Sequence, residues 1–430
     1  MKSKRIVWID LLKAVGFFLV IFGHLEVNKL LDTWIYAFHM PLFLLATGLT
    51  YNIEKSYKTS FKDYAFVRFK RLIIPYFWMQ MISLTMLYMR RLILGGDIPD
   101  LSEYIVGILL SNTQINKYSP APALYYVVLL FLAEIGLWFI IRFTKGDKKT
   151  MFFVLFLLLP LSLLNKKKAG VFHINVVPVA MMIIFIGRLL MDAYNNGLKK
   201  KLEELSPVIY SALCAGMLIV GSVLAYFNER ASLHANKYGK DFTVYILCAL
   251  LMNIGLALIL MKASEMLPSK ILGIFVYVGQ STLFYLGIHS QFRDISEQIG
   301  RKITDIQSWP FLIITTLVLY FLLIPLSKLT DKHFPFIVGK STVKPDRKQK
   351  LCQAFMVFFA FANVFYVSVF HLSQAVMPAF IATLAGKIVI YSIATVIWVG
   401  LSLGISEAVR RFVPLAFLIE KPQSKKVSKS

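Results

Sequence analysis

Long apolar runs separated by short polar or basic segments repeat along the whole chain. A run of about 18 or more mostly apolar residues is long enough to cross a bilayer as an α-helix. The pattern predicts twelve such helices; the fifth is short, so the total holds to within one or two. They lie near residues 6–25, 33–53, 72–94, 122–143, 150–164, 174–192, 206–227, 242–263, 271–290, 310–327, 352–372 and 379–403.

Composition places these helices in lipid. Of the 430 residues 57% are hydrophobic, and the mean hydropathy is +0.67. Soluble proteins rarely exceed about half apolar residues, so the sequence predicts an all-α, polytopic transmembrane helix bundle in contact with the lipid bilayer. The net charge of +24 would suggest nucleic acid in a soluble protein. Here the basic residues belong to loops, and we expect no nucleic-acid partner.

The distribution of lysine and arginine predicts the orientation. If the N-terminus lies in the cytoplasm, most basic loops fall on the cytoplasmic side, as the positive-inside rule requires. The segment "NKKK" at 165–168 is the exception, since it falls outside in this scheme. We therefore expect a multi-pass membrane protein with both termini in the cytoplasm.

A polar, basic segment separates ten predicted helices from a final pair. This segment, "GKSTVKPDRKQK", carries a proline among its charges. The predicted organisation is a membrane domain at 1–339, a basic cytoplasmic linker at 340–350, an extra helix pair at 351–409 and a basic cytoplasmic tail at 410–430.

The first predicted helix, "WIDLLKAVGFFLVIFGH", carries Asp10, Lys13 and His24. At about 100° per residue, the three side chains fall on one narrow stripe. Ionisable residues inside a span cost a few kcal/mol each and usually face a bundle interior or a watery cavity, where they mark function. Alternatively, Asp10 and Lys13 neutralise each other three residues apart, and His24 is a structural histidine at the membrane surface.

The second predicted helix adds His39, followed closely by Pro41, which can bend a helix. A loop of only about seven residues joins the two helices, so His24 and His39 should both lie in the outer half of the bilayer. Two neighbouring imidazoles suit proton transfer, because histidine titrates near physiological pH. No further metal ligands occur at suitable spacing, and we expect no metal site.

The third predicted helix is preceded by "FVRFKRLIIPYF", in which Arg68 and Arg71 stand three positions apart. This spacing predicts that they share a helical face at the cytoplasmic entrance to the span. Arginine side chains suit the recognition of phosphate groups. An ordinary positive-inside anchor is the alternative.

Four segments occur in the order found in acyltransferase family 3, and the chain resembles that family over roughly residues 5–340. They are "WIDLLKAVGFFLVIFGH", "FHMPLFLLATGL", "RFKRLIIPYF" and "VGQSTLFYLGIHS". The resemblance implies a ten-helix acyltransferase core plus about two extra C-terminal helices. It also implies an O-acyltransferase of the bacterial cell membrane that transfers an acyl group, such as acetyl, from cytoplasmic acyl-CoA to a hydroxyl of a saccharide acceptor. Acyl-CoA would be a co-substrate, with no permanently bound cofactor.

The resemblance also implies roles for particular residues. The family has an arginine where this chain has Lys13, which keeps the charge but loses the bidentate fork. The family's tryptophan in the fourth membrane segment is replaced by Tyr125 or Tyr126. The expected catalytic residues are His24, His39, Asp10 and Lys13, the expected donor-binding residues Arg68 and Arg71, and the expected substrate-binding residues Tyr125, Tyr126 and His289.

Two other classes of function remain open at this point. Twelve helices would suit a transporter or flippase of a glycan or lipid, although secondary transporters often show related halves and no internal repeat is visible. A non-enzymatic partner of a polysaccharide synthase is the other. Transfer from acetyl-CoA by the purified protein would distinguish an enzyme from both.

Overall fold

The computed structural model describes residues 5–94, 100–111, 118–164, 170–340, 347–381 and 383–412. Its α-helices in chain order are α1 (Val7–His24), α2 (Lys29–Tyr36), α3 (His39–Thr50), α4 (Ile53–Lys58), α5 (Phe61–Arg68), α6 (Ile74–Leu94), α7 (Leu101–Leu110), α8 (Tyr125–Phe143), α9 (Lys148–Leu158), α10 (Val177–Ala193), α11 (Lys199–Glu203), α12 (Pro207–Asn228), α13 (Phe242–Met266), α14 (Ser269–Gln280), α15 (Thr282–Gly300), α16 (Trp309–His333), α17 (Arg347–Val376), α18 (Pro378–Ile381) and α19 (Leu384–Phe412).

Short segments of other structure join or extend these helices. Two strands, β1 (Ala231–Ser232) and β2 (Lys237–Tyr238), form an antiparallel hairpin in which Ala231 is paired with Tyr238. The π-helical turns are Phe69–Ile73 and Tyr194–Leu198, and the 3₁₀ turns are Pro122–Leu124, Leu159–Ser162, Val171–Val176, Leu233–Ala235 and Pro335–Val338.

The predicted fold class is confirmed. Within the described ranges, nine helical segments are long and apolar enough to cross a membrane, and the bent pair α14 and α15 makes a tenth. Helix α1 lies inside the bundle, where it contacts α3, α13, α14, α15 and α16. Most of its side chains are buried in a single apolar core shared with its neighbours. The charged side chains of α1 are therefore held at the centre of the molecule.

Two predicted spans are broken helices. The span at 33–53 consists of α2 and α3, which are separated at Ala37 and Phe38. Pro41 falls in the first turn of α3, where the missing N–H costs no helical hydrogen bond. The span at 271–290 consists of α14 and α15, which meet at an angle of 82°.

The bend between α14 and α15 lies where α14 touches α1. A Cβ atom added to Gly279 would stand 2.0 Å from the carbonyl oxygen of Asp10. Only glycine permits this approach of two backbones, and small residues commonly serve this purpose between membrane helices. The close contact fixes the end of α14 against the first turn of α1. After the bend, α15 runs alongside α1.

The third and fifth predicted spans also differ in their bounds. Helical structure begins at Phe61 and continues through a π turn into α6. The predicted span at 150–164 is only the 11-residue α9 plus one 3₁₀ turn that ends at Ser162. The short apolar α7 was not predicted. The exceptional "NKKK" at 165–168 lies outside the described residues.

The final helices pack on the core. The Thr85 hydroxyl of α6 donates a hydrogen bond of 2.8 Å to the Phe359 carbonyl of α17. The Trp398 indole of α19 donates to the Phe358 carbonyl at 3.1 Å and stacks on Phe365. The two long helices thus contact each other, and α17 contacts α6. Most of the predicted linker at 340–350, and the tail from 413 onward, lie outside the described residues.

Candidate active site

The C-terminal end of α1 carries His24, and we call this region of the bundle the His24 end. The His24 ring stacks on the ring of His289 from α15, with 5.4 Å between ring centroids. The Tyr36 hydroxyl of α2 lies 3.3 Å from His24 Nδ1. Two of the predicted histidines are therefore in direct contact, and a tyrosine that was not predicted lies within hydrogen-bond distance of the first.

His39 completes this group from the first turn of α3. Its ring lies 4.8 Å from the Tyr36 ring, and its Nδ1 lies 2.8 Å from the Ile35 carbonyl oxygen. The Nδ1 of His289 similarly faces the Tyr285 carbonyl at 2.9 Å. Because a carbonyl only accepts, both Nδ1 atoms must carry hydrogen, which leaves each Nε2 free to accept a proton in the neutral ring.

An ionic network holds the end of α1 in place. Arg293 of α15 donates to the His24 carbonyl at 3.4 Å and to the Asp294 carboxylate at 3.0 Å. Asp294 also pairs with Arg90 of α6. A cation at a helix C-terminus satisfies free carbonyl groups and interacts favourably with the helix dipole. The network therefore fixes the backbone that carries His24.

A second aromatic group lies beside the first. The rings of Tyr125, His173 and His234 contact one another with centroids 4.6 to 4.9 Å apart. His173 Nε2 faces the Ser111 carbonyl at 2.7 Å. His234 is close enough to His24 to interact with it electrostatically. Burial lowers the pKa of His234 to about 4, so this ring is neutral at physiological pH.

Five histidines thus come together, and sequence reasoning identified only three of them. His173 and His234 precede or join predicted spans on the external side, where the predicted topology also places His24. This shared side of the membrane was the signal in the sequence that could have grouped these two histidines with His24. Among the described residues, no group of three or more histidine, cysteine or acidic side chains is arranged to hold a metal ion.

The two predicted tyrosines have different surroundings. Tyr125 contacts the histidines at the His24 end, as described above. Tyr126 instead packs against Phe43 of α3, with 5.9 Å between the ring centroids. Both are buried. Only Tyr125 therefore belongs to the group of histidines.

The polar residues at the start of α1 form a pair that was not predicted. Arg5 Nε donates to Asp10 Oδ2 at 2.6 Å, in place of the suggested neutralisation of Asp10 by Lys13. Arg5 precedes the helix, and the extended backbone of the intervening Ile6 allows the Arg5 side chain to reach the first turn. Lys13 is half-buried and makes no ion pair with any residue that the structure describes.

The opposite end of the bundle carries Arg68 and Arg71, and we call it the Arg68 end. Arg68 Nε lies 2.5 Å from Glu134 Oε2 of α8 and its guanidinium lies over the Tyr64 ring. Arg71 is exposed, lies within the π turn and makes no ion pair in the described part of the chain. Arg68 thus already has a buried acidic partner, and the expected common role of the two arginines in donor binding stays a prediction.

Glu134 is a further residue that the sequence analysis missed. It is the one acidic residue in the apolar run "YYVVLLFLAEIGLWFII". An acid within a membrane span usually has a partner and a purpose, so this residue was a usable signal. Its contact with Arg68 shows that the α5–α6 segment is tied to α8.

The fold and site define an integral membrane protein with a histidine-rich group at one end of its first helix and arginines at the other end of the bundle. The family model described as an acyltransferase domain, that of acyltransferase family 3, matches residues 6–327, well over half of the chain. The chain belongs to this family and is a membrane acyltransferase. The match ends before α17 and α19. No curated protein and no solved structure matches the chain significantly.

Proposed function

We propose that the protein is an O-acyltransferase that moves an acyl group, in the first instance acetyl, from cytoplasmic acyl-CoA to a hydroxyl of an extracytoplasmic or lipid-linked saccharide. The observation that carries this proposal is the cluster of His24, Tyr36, His39 and His289 in a chain of an acyltransferase family. The proposed location of the protein is the bacterial cell membrane, with both termini in the cytoplasm. Its proposed functional partner is a polysaccharide synthase.

The Arg68 end is proposed to bind the donor. Coenzyme A carries phosphate groups, which arginine binds with charge-assisted hydrogen bonds. Arg71 offers an exposed guanidinium that makes no ion pair with a described acid. Arg68, paired with Glu134, holds the turn that presents Arg71. Lys13, about 16 Å along α1 from His24, would attract the negative charge of the donor toward the interior.

The His24 end is proposed to carry out the transfer. With Nδ1–H donated to the Tyr36 oxygen, His24 Nε2 takes the proton of the acceptor hydroxyl as that oxygen attacks the thioester carbonyl carbon. Collapse of the tetrahedral intermediate breaks the C–S bond, and the imidazolium returns the proton to the coenzyme A sulfur. The alternative is transient acylation of His24 itself.

The neighbouring residues have supporting roles in this scheme. His289 stacks against His24 and contacts Phe17, which fixes the plane of both imidazoles. His39 lies against Tyr36 and can exchange a proton through its free Nε2. Tyr125, on the second histidine pair, forms part of the acceptor's surroundings.

The test uses purified protein in lipid nanodiscs with radiolabelled acetyl-CoA. His24→Ala should lower acetyl transfer and release of free coenzyme A by about 10²- to 10⁴-fold, the usual contribution of a general base. His333→Ala, at the end of α16, is the matched control and should retain wild-type activity. Equal activity of His24→Ala and wild type would contradict the assignment.

The same experiment addresses the transporter alternative. The bend between α14 and α15 is a feature that transporters also use, since half-helices often line their binding sites. A transporter would neither consume acetyl-CoA nor release coenzyme A. Acetyl-CoA-independent movement of a glycan across proteoliposomes, without thioester cleavage, would favour that alternative.

A further inference from the structure

A cavity of about 740 Å³ opens at the His24 end, between α2, the end of α12 and the β-hairpin. Its wall includes the buried Thr33 of α2 and the ring of Tyr238 from β2. Binding sites for small molecules and sugar units have this size and combine apolar walls with a few polar groups. None of the residues assigned above to catalysis or donor binding lines this cavity.

The charged groups of the wall are mostly positive. Four cations line it, namely Lys29, Arg230, Lys237 and Lys240, against a single lining acid, Glu229. Lys240 Nζ lies 3.0 Å from Glu229, and Arg230 pairs with Asp32. Lys29 and Lys237 make no ion pair among the described residues. The cavity therefore offers at least two uncompensated positive charges.

Arg230 joins the cavity to His24. Its guanidinium carbon lies 4.1 Å from the centre of the Tyr36 ring, and the Tyr36 hydroxyl lies 3.3 Å from His24 Nδ1. A molecule that touches Arg230 from the cavity is thus separated from His24 by one side chain. The hairpin lies between the spans α12 and α13, so the cavity opens toward the aqueous side of this end.

We propose that this cavity binds an anionic part of the acceptor, a sugar unit that bears a carboxylate or a phosphate, and holds a nearby hydroxyl against His24. The inference rests on the proposed function and narrows its acceptor from saccharides in general to acidic ones. The phosphate of a membrane lipid has similar chemistry. The connection through Arg230 and Tyr36 to His24 favours the acceptor, because a lipid bound there would block the approach to His24.

Binding can be measured directly with defined probes on the full chain in nanodiscs of neutral lipid. The probes are an oligogalacturonate, an oligo(glycerol phosphate) and a neutral malto-oligosaccharide of equal length. We expect at least one of the two anionic probes to bind at least about tenfold more tightly than the neutral one. The double variant Lys29→Gln/Lys237→Gln should lower the affinity for the anionic probes about tenfold, which is the effect of losing two exposed charged contacts. Lys302→Gln changes an exposed lysine at the same end outside the cavity and should leave binding unchanged.

Three results would overturn the proposal. The first is equal affinity for the neutral and anionic probes, and the second is unchanged binding by the double variant. The third is that phosphatidylglycerol added to the nanodiscs displaces the anionic probes while acetyl transfer to the saccharide acceptor continues at the same rate. The last would identify a lipid site. Preference for only one anionic probe would support the proposal and show whether carboxylate or phosphate is recognised.

The proposed function is tested separately in the same preparations. Release of coenzyme A from acetyl-CoA in the absence of acceptor measures thioester cleavage by water and does not involve the cavity. If wild type shows no cleavage and no transfer, the proposed function fails. If wild type and the double variant cleave acetyl-CoA equally and also show the same preference among acceptors, only the cavity proposal fails.

Discussion

Both ends of the bundle contain ion pairs, but among the described residues only the His24 end also contains clustered histidines. The His24 end holds five histidines and two tyrosines in two groups of contacting rings, and four of the histidine nitrogens face backbone carbonyls. At the Arg68 end, two acidic residues are paired with basic ones, Glu134 with Arg68 and Asp192 with both Arg188 and Lys148, while Arg71 makes no ion pair with a described residue. The Arg188 guanidinium also donates to the Tyr51 carbonyl at 2.9 Å.

This contrast suits a division of roles. Neutral imidazoles can give and take protons within a buried environment, whereas a fixed array of charges binds a charged molecule without changing its own state. If the division is real, substitutions at the two ends should affect different parameters. The following predictions are arranged from the largest expected effect to the smallest.

Glu134→Gln should cause the largest loss of stability. Removing Glu134 from this buried ion pair leaves the Arg68 charge uncompensated. The free energy of unfolding should then fall by about 3 kcal/mol, near the lower end of the usual range for buried pairs because Arg68 keeps some contact with solvent. The measurement is the thermal unfolding midpoint in detergent. Glu407→Gln, which breaks an exposed pair with Arg410, is the control and should change little. If Arg68→Gln/Glu134→Gln is no more stable than Glu134→Gln, the ion pair is not the cause.

Arg71→Ala should weaken donor binding. Loss of a charge-assisted hydrogen bond to phosphate costs about 1.5–3 kcal/mol, so KM for acetyl-CoA should rise about 10- to 100-fold while kcat stays close to wild type. Lys62→Ala removes an exposed charge from the neighbouring α5 and should have little effect. A fall in kcat with unchanged KM would contradict the assignment of donor binding to the Arg68 end.

Tyr36→Phe should act in the opposite way. The variant keeps the ring between His39 and Arg230 and removes only the hydroxyl beside His24. One hydrogen bond contributes about 0.5–1.5 kcal/mol, so kcat should fall roughly 2- to 12-fold with KM for acetyl-CoA unchanged. Tyr366→Phe, which removes the hydroxyl that α17 hydrogen-bonds to Thr395 of α19, is a suitable control. A raised KM for the donor would show that Tyr36 does not act at the transfer step.

His234 should produce a small dependence of stability on pH. Burial lowers its pKa to about 4, below the usual 6.5 of the unfolded chain. The unfolded chain therefore binds the proton first, and the stabilisation that is present above about pH 6.5 is lost as the pH falls toward about 4. Unfolding midpoints measured between pH 7 and pH 5 should fall less steeply for His234→Gln than for wild type. Equal slopes would show that His234 does not titrate in this range.

Hydropathy predicted the helices well because each span must be apolar along its own length. It could not predict the breaks at Phe38 and Ser281, which depend on contacts between helices, such as that of Gly279 with Asp10. Nor could it show that the predicted span at 150–164 is largely a short helix, since apolarity does not fix where a helix ends.

The candidate site was predicted in part. His24, His39 and His289 each stand out as a histidine in an apolar segment. The structure brings the first two together at Tyr36 and stacks the third on His24. The partner of Asp10 could not be read from spacing, because Arg5 lies before the helix and reaches it past the extended Ile6. Tyr36 and Arg293 became visible only in three dimensions, since their importance depends on which helices are neighbours. Whether these residues carry the reaction stays a prediction.

The π turn at Phe69–Ile73 has a consequence for insertions and deletions. A π turn holds one residue more than an α turn, and such turns are frequent at functional sites. Deletion of a single residue there would restore a continuous α-helix with its faces in register, whereas deletion of one residue in the following turn of α6 would rotate everything before it by about 100° relative to the core. Arg68 would then leave Glu134, while the sequence after the deletion would remain in register with the core. Length, as well as residue identity, is therefore under constraint in the turn of α6 that follows this short stretch.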